Sequence, residues 1–337
     1  MKKKIFIFFL VLAGVILNLF SFKDDLYTEL IVNTHNNVDF TDIYIIYSNI
    51  NYSKIKSYTL TSSKPKVSNK TFVPYSKGFI PNAAYRQYKK AFLQNNEDFS
   101  MMFQDYYESG DFVYFAFPGD LSSFRVLNRT TDEIKQLIID ESTHLSPMYV
   151  SHMQQVGDQL IILAGQAHAY NALIYTVDLP TLKVTSSKQL GTHPSALGGT
   201  HFTLTSDGIA LFIAGDKLQV YNPFTDVESF IPLPFTTTGV ISQAHTTLVY
   251  GEQDGVLYTS VLDESFNLSP MHTTRFPSSS CKLIDLSIKG DTLFIATVDP
   301  LGLRFRNYIS GYNLSTGQLT YCLGIEDASP LILMAIE

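Results

Sequence analysis

The chain has 337 residues, a formal net charge of -7 and a pI near 5.6. With 24 Lys and Arg against 31 Asp and Glu residues, it lacks the basic surface of nucleic-acid-binding proteins, so we expect no nucleic-acid partner. The aromatic residues are 24 Phe and 20 Tyr without Trp, and together with many Ile, Val and Thr residues they favour strands over helices.

The N-terminus has the pattern of a targeting segment. Three lysines precede an apolar run from Ile5 to Phe22, and a membrane span needs roughly 20 apolar residues, so this run is long enough to cross. No Ala-x-Ala-like cleavage site follows it, so we expect residues 1–25 to form a signal anchor, with a cleaved signal peptide as the alternative. The basic end is expected to stay in the cytoplasm. Residues 26–337 would then be exported, anchored at the extracytoplasmic face of the membrane, or secreted if the segment is cleaved.

Beyond residue 30, one unit recurs along the chain: a strand, a Gly/Asp turn, an apolar strand, a strand with Tyr, a polar turn and a last strand. The second strands of five units are predicted at 111–115, 159–163, 209–213, 247–250 and 292–296. Third strands are predicted at 173–178, 218–222, 256–259 and 308–314. Two earlier runs, 41–47 and 54–61, resemble the second and third strands of a further unit.

Four antiparallel strands every 40 to 50 residues or so are typical of a β-propeller blade. The chain resembles this class over residues 35–337, without the Gly-His and Trp-Asp signature of WD40 repeats or the paired glycines of kelch repeats. The resemblance implies an all-β propeller of six blades in one domain, 26–337, with seven blades as the alternative. The inner strand of the first blade is either Glu29–Asn33 or the C-terminal Leu331–Ile336, and the second choice would close the ring with strands from both chain ends.

Residues 76–98 do not fit the repeat. Within them, residues 82–94 have helical composition, with Tyr85, Tyr88 and Phe92 on one side. We expect a surface insertion between the first two blades.

The two cysteines, Cys281 and Cys322, are expected to be free and buried. The strand pattern places Cys281 at the start of an inner strand and Cys322 on the outermost strand of the same sheet. Strands lie about 4.8 Å apart, whereas a disulfide requires Cα atoms within about 7 Å of each other.

The sequence contains none of the common catalytic signatures: no Gly-x-Ser-x-Gly, no His-Glu-x-x-His, no phosphate-binding loop and no dinucleotide-binding glycine pattern. It therefore favours a binding protein over an enzyme.

One polar position recurs six residues before the Asp of the first turn. Four of the five units carry Asp or His there: Asp105, His152, His201 and Asp285. Because the inner strands of a propeller line its central channel, these side chains would converge at one end of that channel. There they could hold a polar ligand or a divalent metal, which imidazole and carboxylate groups both suit. The alternative is that they pack between blades and bind nothing.

Three hypotheses of function follow. The first is a membrane-anchored extracytoplasmic propeller that binds a protein or another cell-envelope ligand. The second is a metal-dependent hydrolase or lyase, in which the four residues hold the metal at the channel mouth. The third is a structural subunit of an envelope complex. The propeller itself does not decide among them, since one fold carries many functions.

Overall fold

The computed structural model describes residues 28–33, 38–48, 55–75, 78–99, 103–139, 148–166, 171–192, 201–243, 245–326 and 331–335. The predicted signal anchor, residues 1–25, lies outside these ranges. Within them, no helix is both long enough and apolar enough to span a membrane.

Six antiparallel sheets, numbered as blades I to VI, form the fold, and the strands of each blade are named from the inner strand outward. Blade I contains β27 (Leu331–Ala335), β2 (Ile43–Ser48), β3 (Ile55–Thr59) and β4 (Lys66–Val67). Blade II contains β7 (Asp105–Ser109), β8 (Phe112–Ala116), β9 (Arg125–Asn128) and β10 (Ile134–Gln136). Blade III contains β11 (Met148–Val156), β12 (Gln159–Gln166), β13 (Asn171–Asp178) and β14 (Lys183–Thr192).

The other three blades follow the same order. Blade IV contains β15 (Phe202–Leu204), β16 (Ala210–Ala214), β17 (Lys217–Asn222) and β18 (Val227–Pro232). Blade V contains β19 (Gly239–Gln243), β20 (Thr246–Gln253), β21 (Val256–Leu262) and β22 (His272–Arg275). Blade VI has five strands: β23 (Lys282–Lys289), β24 (Thr292–Val298), β25 (Asn307–Asn313), β26 (Leu319–Ile325) and β1 (Thr28–Asn33). The prediction of a six-bladed propeller is confirmed.

Strands from the two ends of the chain complete blades VI and I. Strand β27 is the inner strand of blade I, where Leu333 pairs with Ile45 of β2, and it lies beside β23 of blade VI. Of the two inner strands proposed for the first blade, the C-terminal one is therefore correct. Strand β1 instead pairs with β26 as a fifth strand of blade VI, with Leu30 opposite Leu323. The strand of Cys322 is consequently not the outermost one, although both cysteines are free and buried as predicted.

The blades share their turn chemistry. The third strands of blades II to VI end in, or in blade V are followed directly by, an Asn or Asp whose side chain accepts backbone N–H groups two or three residues ahead. These residues are Asn128, Asp178, Asn222, Asp263 and Asn313. Such bonds offer the backbone a turn in place of a continuing strand. These turns and the turns between first and second strands lie at one end of the ring, which we call the turn end. The opposite end, where the inner strands begin, is the rim end.

Apolar clusters fill the boundaries between successive blades. Five boundaries are direct, from II–III to VI–I, and each cluster draws buried side chains from both neighbouring blades. Examples of such pairs of residues are Tyr114 with Leu160, Leu163 with Phe212, Leu211 with Val249, Tyr250 with Ile295, and Ile45 with Phe294. Blade-to-blade burial of apolar area is thus the main source of stability in the described part of the ring.

The boundary between blades I and II is different, because an insertion fills it. A hairpin of β5 (Phe72–Tyr75) and β6 (Gly78–Pro81) leads into helix α1 (Asn82–Gln94). We call residues 72–75 and 78–99 the wedge. Its two strands alternate, as strands do. Phe72 and Phe79 pack against blade I, whereas Val73, Tyr75 and Ile80 pack against blade II.

Helix α1 packs the wedge against blade II. Tyr88, Ala91 and Phe92 are buried on one side of the helix. The ring of Phe92 meets that of Phe115 edge-on at 5.3 Å, and the hydroxyl of Tyr88 donates a 2.5 Å hydrogen bond to Glu108. The helix covers residues 82–94, and its buried aromatic side chains supply part of the core between two blades while its opposite side is exposed.

Candidate functional site

The structure places all four predicted site residues on or directly before inner strands: Asp105 begins β7 and His201 precedes β15, whereas His152 and Asp285 lie in the middle of β11 and β23. Asp105, His152 and Asp285 have the same register, each opposite a residue eleven positions later: Ala116, Leu163 and Ala296. His201 lies one residue before β15, and its carbonyl accepts a 2.8 Å hydrogen bond from the N–H of Ile213. All four side chains are half-buried.

A β-bulge precedes two of these residues, and sequence reasoning missed it. Ser151 in blade III and Ile284 in blade VI are the extra residues, directly before His152 and Asp285. The hydroxyl of Ser151 donates to the carbonyl of Leu163 at 3.1 Å and lies 3.3 Å from Nδ1 of His152. A bulge bends its strand and turns the following side chain, which is common next to binding sites.

Each of three candidate side chains lies near a blade boundary. The ring of His152 faces that of Phe202 in blade IV, with centroids 6.3 Å apart at 73°. Burial, and secondarily the carboxylate of Asp285, raises the pKa of Tyr250 in blade V to about 12. Burial, and then the carboxylate of Asp105, raises the pKa of Tyr75 in the wedge well above its usual value. These three side chains thus lie beside three different blade boundaries, the arrangement expected if they pack between blades.

Side chains from neighbouring blades satisfy backbone N–H groups on the open edges of the inner strands. Four such hydrogen bonds run from Val150 N to Gln104 Oε1 (3.0 Å), Gln155 N to Tyr107 Oη (3.2 Å), Leu283 N to Glu252 Oε2 (3.2 Å) and Ile288 N to Gln243 Oε1 (2.7 Å). An unpaired strand edge otherwise exposes such donors. Two of these donors, Val150 and Leu283, lie immediately before the bulges. The backbone that carries His152 and Asp285 is therefore held from the preceding blade.

A metal centre is not apparent in the part of the chain that the structure describes. No group of three or more His, Cys, Asp or Glu side chains there is arranged to hold an ion. The loop histidines His144, His168 and His193 lie outside the described residues. The metal hypothesis therefore stays a prediction, to be tested by direct measurement.

Comparison with known proteins finds structures of similar fold but no family to which the chain can be assigned. No protein-family model matches the chain, and no curated protein matches it significantly. Among solved structures, AztD of Citrobacter koseri is 11% identical with a TM-score of 0.48, over 87% of this chain and 97% of that one. Hydrazine synthase of Kuenenia stuttgartiensis is 12% identical with a TM-score of 0.43, over 63% of this chain and 62% of that one. PorZ, a surface component of the type-IX secretion system of Porphyromonas gingivalis, is 11% identical with a TM-score of 0.42, over 79% of this chain and 35% of that one.

The chain spans less than two thirds of the hydrazine synthase and PorZ chains that it matches. At these identities and TM-scores, the likeness carries no argument about function. The order of the strands within the six sheets is what makes the chain a six-bladed β-propeller.

Proposed function

We propose that the chain is an exported, membrane-anchored β-propeller that binds a protein or another cell-envelope ligand at its rim end. The observation that carries this proposal is the recurrence of half-buried Asp and His side chains on or directly before the inner strands of blades II, III, IV and VI. Carboxylates accept hydrogen bonds, and neutral imidazole both donates and accepts them. Side chains of these two types suit a ligand that carries amide, hydroxyl or ammonium groups.

The inner strands hold these groups in a fixed arrangement. The bulges and the hydrogen bonds between blades fix the backbone on which His152 and Asp285 lie. A rigid site loses little conformational entropy when a ligand binds. Tyr149, three residues before His152, is 51% exposed and adds an aromatic surface of the kind that binding sites use.

Export and anchoring are supported by the sequence of residues 1–25. Three lysines followed by the apolar run Ile5–Phe22 are typical of a segment that leaves its basic end in the cytoplasm. The propeller would follow directly on the extracytoplasmic side.

Site-specific photocrosslinking in the full chain tests the binding proposal. The crosslinker p-benzoylphenylalanine replaces Tyr149 at the rim end or, as the control, Phe112 at the turn end, which is 40% exposed. Both positions carry exposed aromatic side chains, so the replacement is conservative at each. We expect a discrete adduct from position 149 in native membranes, weakened in the variant His152→Ala, His201→Ala. Equal adducts at both positions, or none at 149, would contradict the proposal.

A further inference from the structure

One rim-end loop of blade VI presents two leucines to solvent. It joins β24 to β25, and within it Leu301 is 75% exposed and Leu303 is fully exposed. They are the two most exposed large apolar side chains of the described residues. Single exposed leucines are ordinary on protein surfaces, so what matters is how this loop is built and what lies beside it.

The loop is held rigidly. The buried carboxylate of Asp299 accepts hydrogen bonds from the N–H of Leu301 (3.0 Å) and the hydroxyl of Ser280 (2.6 Å). Arg306 donates through Nη1 to the carbonyl of Pro300 at 2.7 Å. A Cβ at Gly302 would lie 2.0 Å from the carbonyl oxygen of Phe305, so only glycine fits there. The leucines are thus kept outward by the backbone and do not fold onto the surface.

The start of the propeller lies beside this loop. Strand pairing aligns Lys282, Val298, Asn307, Ile325 and Thr28 in one row across blade VI. Thr28 is therefore at the rim end, two strand spacings or about 10 Å from the loop base at Asn307. Arg304 of the loop also forms an ion pair with Glu29, the next residue of β1.

Little chain separates this row from the predicted anchor. Five residues, 23–27, join Phe22, the end of the apolar run, to Thr28. Fully extended, that connection spans at most about 20 Å. If the apolar run crosses the membrane, the rim end of blade VI is tethered close to the bilayer surface.

We propose that Leu301 and Leu303 insert into the extracytoplasmic lipid interface beside the anchor. This inference rests on the proposed anchoring. Short apolar insertions bind the interface in proportion to the apolar area that they bury. With two contact points, the propeller cannot swing freely on its tether. The rim end then faces the bilayer, so we expect the ligand of Asp105, His152, His201 and Asp285 to be a membrane-associated one.

The absence of Trp from the chain makes the proposal directly measurable. Leu303→Trp introduces a single fluorophore at the loop, and Phe224→Trp introduces the matched control at an exposed position of the turn end. The full chain is reconstituted in nanodiscs of phosphatidylethanolamine and phosphatidylglycerol, with or without brominated acyl chains. We expect blue-shifted emission that bromine quenches for Leu303→Trp, and solvent-like, unquenched emission for Phe224→Trp. Leu301→Trp should give the same blue shift and quenching as Leu303→Trp. Agreement between the two variants shows that the result does not come from a local change caused by one substitution.

Three outcomes would overturn the proposal. Emission from Leu303→Trp as solvent-like and unquenched as that of Phe224→Trp excludes lipid contact. A blue shift without quenching by bromine means that protein atoms, and not acyl chains, shield the indole from water. Membrane fractionation of cells is carried out first, so that failure of the anchor can be told apart from failure of the loop contact. If the propeller is recovered wholly in the medium and begins near residue 22, the anchor is absent and the loop contact is overturned with it.

Discussion

The side-chain oxygen of Gln104 accepts a 3.0 Å hydrogen bond from the backbone N–H of Val150 on the inner strand of the next blade. Both groups are buried, so water cannot readily replace either partner. This bond fixes β11 just before the bulge that precedes His152. It couples the stability of the blade II–III boundary to the geometry of the candidate site.

Gln104→Ala should therefore lower the free energy of unfolding by about 1–3 kcal/mol, the usual effect of leaving a buried donor unsatisfied. Urea denaturation of the full chain in detergent measures it. Gln136→Ala, at an exposed position of the same blade, should change the value by no more than about 0.5 kcal/mol. If the two variants have equal stability, the hydrogen bond contributes nothing.

The wedge should be essential to the ring. Phe92 is fully buried against Phe99 and Phe115, so Phe92→Ala should cost about 3–5 kcal/mol in unfolding free energy. Its neighbour Leu93 is exposed on the same helix, and Leu93→Ala should cost far less. Similar denaturation midpoints for the two variants would mean that the buried side of the helix adds little to stability.

The two thiols should be inert in the native protein. Burial raises the pKa of Cys281 and raises that of Cys322 to about 11, so thiolate is scarce at neutral pH. We expect no rapid reaction with an aromatic disulfide reagent near neutral pH, and two reactive thiols after denaturation without a reductant. If the denatured sample had no reactive thiol, the two cysteines would instead form a disulfide.

Asp299 should make stability depend on pH. Burial raises its pKa, but hydrogen bonds from Ser280, Ser278 and the backbone N–H groups of Leu301 and Gly302 outweigh it, and the net pKa is lowered. A carboxyl with a lowered folded-state pKa stabilises the fold above its unfolded pKa of about 3.9 and loses that contribution as pH falls through the folded pKa. The difference in unfolding free energy between wild type and Asp299→Asn should therefore be constant above about pH 5 and shrink in more acidic solution. A difference independent of pH would contradict this assignment.

Metal analysis separates the binding protein from the metal-dependent hydrolase or lyase. Tightly bound divalent ions take three or four protein ligands, and the described residues contain no such group. We expect the purified full chain to hold no stoichiometric metal. Its melting temperature should not change when zinc or manganese is added. Stoichiometric metal that is lost in the variant His152→Ala, His201→Ala would support the enzyme instead.

The features that the sequence predicted well are local ones. Alternation of apolar residues and Gly/Asp turns indicated the second and third strands of five blades within a few residues of their observed bounds. The hairpin of the wedge was missed because Pro74 lies within β5, and proline argues against a strand interior. Its burial could not be anticipated either, since the groups that cover it come from blades on both sides.

For the candidate site, the sequence indicates the register and little more. The six-residue spacing to the turn located Asp105, His152 and Asp285 at equivalent positions of three hairpins. The bulges left no sequence signal, because any residue can occupy the extra position: Ser151 in one blade and Ile284 in another. The hydrogen bonds between blades join residues that are distant in sequence, and Gln104 and Glu252 have no shared spacing that would reveal them.

The pairing of β2 with β27 has a consequence for biogenesis. Strand β2 is synthesised early, yet its inner neighbour β27 is the last of the described strands to be made. Until β27 has been synthesised, the inner edge of β2 stays open to pairing with other chains. Contacts between residues so far apart in sequence also form slowly. A factor that shields an exposed strand edge during folding would act on this blade until residues 331–335 have paired with β2.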